Sequence, residues 1–160
     1  MIRPATLDDI IDIEEVYRVA RLFMARNGNP SQWKDGYPQR QIIESDICNG
    51  TLYVVEHKAQ IEAVFALIDG EDPTYGYIDG EWLDDGEYSA VHRIASRGRM
   101  KGAGRLCLEF AERKSRSIRI DTHADNLPMQ HVLETRGYTR TGIIYLQNGE
   151  ERIAYQKINR

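Results

Sequence analysis

Arg99-Met100-Lys101-Gly102-Ala103-Gly104 joins two glycines to cationic side chains where a strand-like apolar run gives way to a helical one. The first amides of a helix have no partner inside it and carry partial positive charge. Glycines there remove the side chains that would hold an anion away. Arg99, Lys101 and Arg105 would add formal charge beside them. From residue 93 to 108 there are basic side chains at Arg93, Arg97, Arg99, Lys101 and Arg105 and no acid, in a chain of net charge −4. A basic island in an acidic chain points to a small anionic ligand. The turn lacks the Gly-Lys-Ser/Thr ending of a phosphate loop, and the GxGxxG spacing fails. Taken alone, the same glycines equally suit a tight strand-to-helix turn.

His92 stands just before this turn. An imidazole with an ordinary pKa near ~6.5 suits proton abstraction, directly or through water. Strict alternation predicts His92 and Ile94 on one face and Arg93, in a structural role, on the other. A histidine hydrogen-bonded inside the sheet fits equally. His123 follows the next strand-like run. A second group is aromatic: Trp33, Tyr37, Tyr75, Tyr77, Trp82 and Tyr88 fall in two loop regions, the second with acidic neighbours Glu81 and Glu87. Such walls suit an amine or cationic ligand, partly by cation–π contact; the tryptophans could equally plug loops onto the core.

The elements that must position these groups are legible from periodicity. A short first strand over 2–5 leads through Thr6, a capping residue followed by Asp8 and Asp9, into a helix. Its inward face is Ile10, Ile13, Val16, Tyr17, Ala20, Phe23 and Met24, and residues 27–30 stop it. A second helix over 38–48 turns Ile42, Ile43 and Ile47 inward. Strands follow over 51–56 and 60–68, then an irregular stretch over 69–86, then a strand over 88–95. The glycine turn opens a helix over 103–114 with Leu106, Cys107, Phe110 and Ala111 inward. A strand over 117–122, a helix opened by residues 125–128, and a hairpin at Asn148-Gly149 complete the chain. The predicted order is β-α-α-β-β-β-α-β-α-β-β.

At 160 residues, 41% hydrophobic and 29% charged, the chain suits one ordinary globular domain over residues 1–160. No apolar run approaches a membrane span, and the N-terminus lacks a signal-peptide pattern. Cys48 and Cys107 sit in no metal-binding spacing and are expected to be small buried residues, with no metal and a cytoplasmic location. The charge balance argues against a dedicated nucleic-acid binder, although the island at 93–105 keeps that reading open.

The motifs together resemble the GNAT superfamily of acetyl-CoA-dependent N-acetyltransferases. The matching pieces are Val91-His92-Arg93-Ile94-Ala95, the turn at 99–104, Ile120-Asp121-Thr122-His123-Ala124-Asp125-Asn126, and Arg136-Gly137-Tyr138. The resemblance implies an α/β (mixed α+β) GNAT fold: a twisted, mixed, mostly antiparallel sheet of about seven strands flanked by about four helices. It implies that strand amides near His92, Arg93 and Ile94 splay from the next strand to hold the acetyl-pantetheine arm. It also implies that Arg99, Met100, Lys101, Gly102, Ala103, Gly104 and Arg105 bind the pyrophosphate, and that Asn126 contacts the pantetheine or the attacking amine.

The implied activity is acetyl transfer from acetyl-CoA to a primary amine by direct attack, with His92, Glu81 and Asn126 as catalytic candidates. Trp33, Tyr37, Trp82 and Tyr88 are the candidate acceptor walls. A small-molecule amine is favoured over a protein amine, no membrane partner is expected, and a homodimer stays open. Many relatives carry a proton-donating tyrosine seven residues after the asparagine; here that position is Leu133. The departure keeps a catalytically weak acyl-CoA-binding or regulatory module as an alternative.

Overall fold

A computed structural model describes residues 1–159. The chain runs β1 (Ile2–Pro4), α1 (Ile10–Arg26), α2 (Arg40–Cys48), β2 (Leu52–His57), β3 (Gln60–Asp69), β4 (Asp79–Gly80), β5 (Ser89–Ser96), α3 (Ala103–Lys114), β6 (Ser117–Thr122), α4 (Leu127–Thr135), β7 (Thr139–Tyr145) and β8 (Glu151–Ile158). The strands form one sheet ordered β1-β2-β3-β5-β6-β8-β7-β4, in which only β5 and β6 run parallel.

The sheet has eight strands where seven were expected, because Asp79 and Gly80 inside the irregular stretch pair with Ile143 and Gly142. Gly142 is required there: a Cβ on it would meet Asp79 O at 2.2 Å. The helices divide between the two faces as period-3.6 patterning demands. On one face α1 and α2 bury Ile13, Val16, Tyr17 and Ile43 against Val54, Val64 and Ala66. On the other, α3 and α4 bury Cys107, Leu108, Ala111 and Leu133 against Phe65, Val91, Ile118 and Ile120. Each Val, Leu, Ile or Phe among them contributes about 1.5–3 kcal/mol on leaving water. Phe23, expected inward, is 54% exposed in the last turn of α1, where the buried face of the helix has ended at Ala20. Cys48 is exposed at the end of α2, contrary to expectation, while Cys107 is buried.

Alternation along β5 is broken at one point, and the break matters for the site. Val64 pairs with Ala95 and Ala66 with His92, so Phe65 alone faces the two residues Arg93 and Ile94. This is a β-bulge, and Arg93 sits at its centre with φ +51°. The extra residue shifts the alternation by one. His92, paired with Ala66, and Arg93, reaching α2, both lie on the α1/α2 face, while Ile94 packs into the α3/α4 core. The expectation that His92 and Ile94 share a face, with Arg93 opposite, is therefore corrected.

Candidate active site

The parallel ladder between β5 and β6 ends at Val91–Ile120, and the bulge then bends β5 away. A cleft of about 810 Å³ opens where the two strands part. Its floor on the α1/α2 face is one residue from each of three adjacent strands: His92 from β5, Asp121 from β6 and Arg152 from β8. Register fixes this shared face, because Asp121 pairs with Ala154, two residues beyond Arg152. Its roof is the loop between α1 and α2, with Gln32, Trp33, Lys34 and Tyr37.

His92 Nε2 lies 2.6 Å from Asp72 Oδ2. Asp72 is locked in turn: its Oδ1 accepts from Thr74 N at 2.9 Å and from Thr74 Oγ1 at 2.6 Å. Partial burial alone would raise this carboxyl, but the bonds from His92 and Thr74 outweigh it and hold the group at about 2. With Nε2–H donated to the carboxylate, the neutral ring carries its lone pair on Nδ1. The Tyr75 ring centroid lies 5.8 Å from that of His92, and Tyr75 OH donates to Asp121 Oδ2 at 2.7 Å. Burial, with Asp121 beside it, pushes that phenol well above its ordinary range.

Arg93 turns away from the cleft chemistry. Its guanidinium clasps Asp46 of α2 at 2.7 and 2.9 Å, and its carbonyl accepts from Tyr17 OH at 2.8 Å. These contacts hold the bulge, and with it the parting of the strands. Arg93 and Ile94 fall outside both neighbouring registers, so β5 has backbone to offer a ligand there.

At the glycine turn, Gly102 caps α3 in the left-handed region at φ +79°. A Cβ added at Gly104 would meet nothing within 4 Å, and one at Gly102 only the Arg105 side chain at 4.0 Å. The amides of Ala103 and Gly104, in the first turn of α3, have no partner within the helix. The cationic share is smaller than expected. Arg99 is spent on Glu62 at 2.7 Å and Gln60 at 2.9 Å, and Arg97 on Ile61 O at 3.0 Å. Lys101 and Arg105 stay exposed beside the helix start, Arg105 with only a loose 3.6 Å contact to Glu109. Met100 packs partly against the core.

Asn126 caps α4, accepting from Met129 N at 3.2 Å, and donates to Gln32 Oε1 at 2.9 Å, which ties the roof to the far wall. Beside it, Thr122 Oγ1 is buried with no partner among the described residues, at the point where β6 leaves β5. The acceptor candidates divide. Trp33 and Tyr37 line the cleft, Trp33 edge-on to Tyr17 at 5.5 Å. Trp82 and Tyr88 instead sandwich Arg119, 4.2 and 4.0 Å from its guanidinium carbon, in a separate cavity of about 1050 Å³. Glu81 is exposed on the edge of the sheet, its amide bonded to Thr141 O at 3.1 Å, and Glu87 is exposed in that second cavity. The acid beside His92 is Asp72. His123 accepts from Asp125 N at 2.9 Å and does not line the cleft.

Sequence reasoning missed Asp72, Asp121, Gln32 and Arg152. One signal was available: Asp72-Pro73-Thr74 is a helix-start signature, and an aspartate so capped is held rigid. Among the described residues no group of three His, Cys, Asp or Glu is placed to hold a metal ion, and no helix is long and apolar enough to cross a membrane.

No family profile and no curated protein matches the chain in sequence. Solved structures do. An acetyltransferase of the GNAT family from Streptococcus agalactiae is 36% identical, with a TM-score of 0.88 over 100% of this chain and 95% of its own. A ribosomal-protein-alanine N-acetyltransferase from Brucella melitensis is 20% identical over 99% of each chain, with a TM-score of 0.65. The yncA protein from Salmonella typhimurium, solved with its cofactor acetyl-CoA, is 18% identical over 100% of this chain and 94% of its own, with a TM-score of 0.63.

Proposed function

The chain belongs to the GNAT family of acetyltransferases, and on that premise we propose that it moves an acetyl group from acetyl-CoA to the primary amine of a small molecule. The observation that carries the reading is the parting of β5 and β6 after Val91–Ile120, with the His92–Asp72 pair at its mouth. Acetyl-CoA, when bound, supplies a thioester carbonyl open to attack. The residues fit such a ligand. The first-turn amides of α3, without intrahelical partners, and Lys101 and Arg105 beside them suit a pyrophosphate. The backbone at Arg93–Ile94, outside both strand registers, and the orphaned Thr122 hydroxyl suit a polar arm laid between the strands.

His92 takes the proton from the incoming ammonium at Nδ1, directly or through water. Asp72 fixes the ring and stabilises the imidazolium that results, as a carboxylate behind a catalytic histidine does. A backbone N–H of the bulge would supply the donor for developing negative charge on the carbonyl oxygen. Leu133 offers no proton to the leaving sulfur, but a thiol with an ordinary pKa near ~8.5 leaves tolerably as its anion. Trp33 and Tyr37 form the wall against which the acceptor lies. Their enclosure, under a roof tied by Gln32, favours a small molecule over a protein chain.

The test is CoA release measured over a panel of primary amines, beside a calorimetric titration with acetyl-CoA. Turnover with a subset of small amines is expected. Micromolar acetyl-CoA binding with no turnover on small amines or N-terminal peptides would overturn the proposal in favour of a binding module.

A further inference from the structure

We infer that the acceptor carries a carboxylate as well as its amine, and that Arg152 reads it. The inference rests on the acetyl-transfer reading above and names the substrate class for the same cleft. Arg152 lines the cleft with its side chain only 5% exposed, which is costly for a guanidinium without good partners. Its bonds are poor. Nη1 donates to Glu151 O at 2.8 Å, but Nη2 reaches Gln32 O and Glu150 Oε2 only at 3.4 Å each, and Nε–H has no partner among the described residues. Glu150 is meanwhile engaged by Lys34 Nζ at 2.8 Å. Two cations thus share the Glu150 carboxylate at this end of the cleft.

The other end has the opposite balance. Asp72 and Asp121 face a single His92, and Arg93 nearby is already neutralised by Asp46. Register places Asp121 and Arg152 on one face, one strand apart and two residues along, so their Cα atoms are separated by about 8 Å. A molecule lying across the floor meets negative charge and the base at β5–β6, and an under-bonded guanidinium at β8. An amine with a carboxylate a few bonds away, in amino-acid fashion, fits both. Its two oxygens would give Nη2 and Nε the fork geometry that the protein leaves unfilled.

The test compares acceptors that differ only in the carboxylate: phenylalanine with phenethylamine, lysine with cadaverine, and methionine with 3-(methylthio)propylamine. The carboxylated member of at least one pair should be preferred about tenfold or more in kcat/KM, the range of a charge-assisted hydrogen bond. Arg152→Gln should abolish that preference through KM with kcat little changed, and Arg152→Lys should keep part of it. Glu150→Gln, a change near the surface, should tighten capture of the carboxylated acceptor about two- to fivefold by removing a competitor. Equal use of both members, a preference for the decarboxylated amine, or no tightening in Glu150→Gln would overturn the inference and leave acetyl transfer intact. If no amine turns over, the acetyl-transfer reading falls. Calorimetry with N-acetylphenylalanine against N-acetylphenethylamine then decides the carboxylate question alone: selective binding of the former supports it, parity refutes it.

Discussion

His92 and Arg93 are consecutive in the chain, yet both side chains leave the same face of the sheet. The bulge at Arg93 makes this possible, and the two residues then serve different purposes: one presents an imidazole to the cleft, the other clasps Asp46 on α2. The clasp and the Tyr17 hydroxyl on the Arg93 carbonyl are what hold a non-glycine residue at φ +51°. Asp46→Ala strands a largely buried guanidinium and should cost about 3 kcal/mol in urea denaturation. It should also lower kcat with the best amine, because the bulge positions His92. A loss under about 1 kcal/mol with unchanged kcat would mean the bulge holds itself.

The glycine turn, the helices and seven of the eight strands were legible in the sequence because each depends on neighbours a few residues away. The floor of the cleft was not. His92, Asp121 and Arg152 meet only through strand register, and Asp72 reaches His92 across 20 residues of irregular chain. The bulge was hidden for a related reason: alternation at Val91-His92-Arg93-Ile94 reads as an unbroken strand, and only the pairing with Phe65 shows one residue too many. Glu81 lies on the sheet edge and not beside His92, because proximity in sequence to the strand does not fix which end of the loop folds back. Arg99 looked free because Glu62, its partner, lies two strands earlier in the chain.

Asp72 makes the fold pH-sensitive in a defined direction. Its carboxyl is held at about 2, against an ordinary value near ~3.9, so its charged form is stabilised in the folded state. The contribution is present above pH ~4, is lost as pH falls towards 2, and amounts to roughly 2 kcal/mol. Asp72→Asn should remove it, so the stability gap between the wild type and this variant should narrow between pH 4 and 2 in urea titrations. At neutral pH the same variant should lose about a hundredfold in kcat if the pair supplies the base. A gap that does not change with pH would show that Asp72 gains nothing from its ionised contacts.

Gly102 is tested separately from its backbone strain. Gly102→Val forces a β-branched residue to φ +79° and fills the space over the first amides of α3. Strain alone should cost about 1–2 kcal/mol of stability. Blocking the amides should weaken acetyl-CoA binding about tenfold or more, since each bond to a charged phosphate is worth about 1.5–3 kcal/mol. Gly50→Ala, at φ +71° after α2 and far from this turn, is the control: similar strain, unchanged affinity. Equal affinity for Gly102→Val and the control in calorimetry would mean that the turn does not hold the phosphates.

Leu133 poses the last question, since it stands seven residues after Asn126, where the family resemblance implies a tyrosine. It is fully buried in the α3/α4 core with Leu108, Ile118 and Tyr138, and does not line the cleft. Leu133→Tyr must therefore fit a larger ring into filled space, which costs about 1–3 kcal/mol. For a domain of this size that is about 3–10 °C in Tm. A phenol buried at this position would not reach the cleft, so kcat should not rise. The pairing of the two readouts is decisive: a tenfold gain in kcat with an unchanged Tm would mean that the tyrosine reaches the cleft, and that the wild-type reaction is limited by protonation of the leaving sulfur.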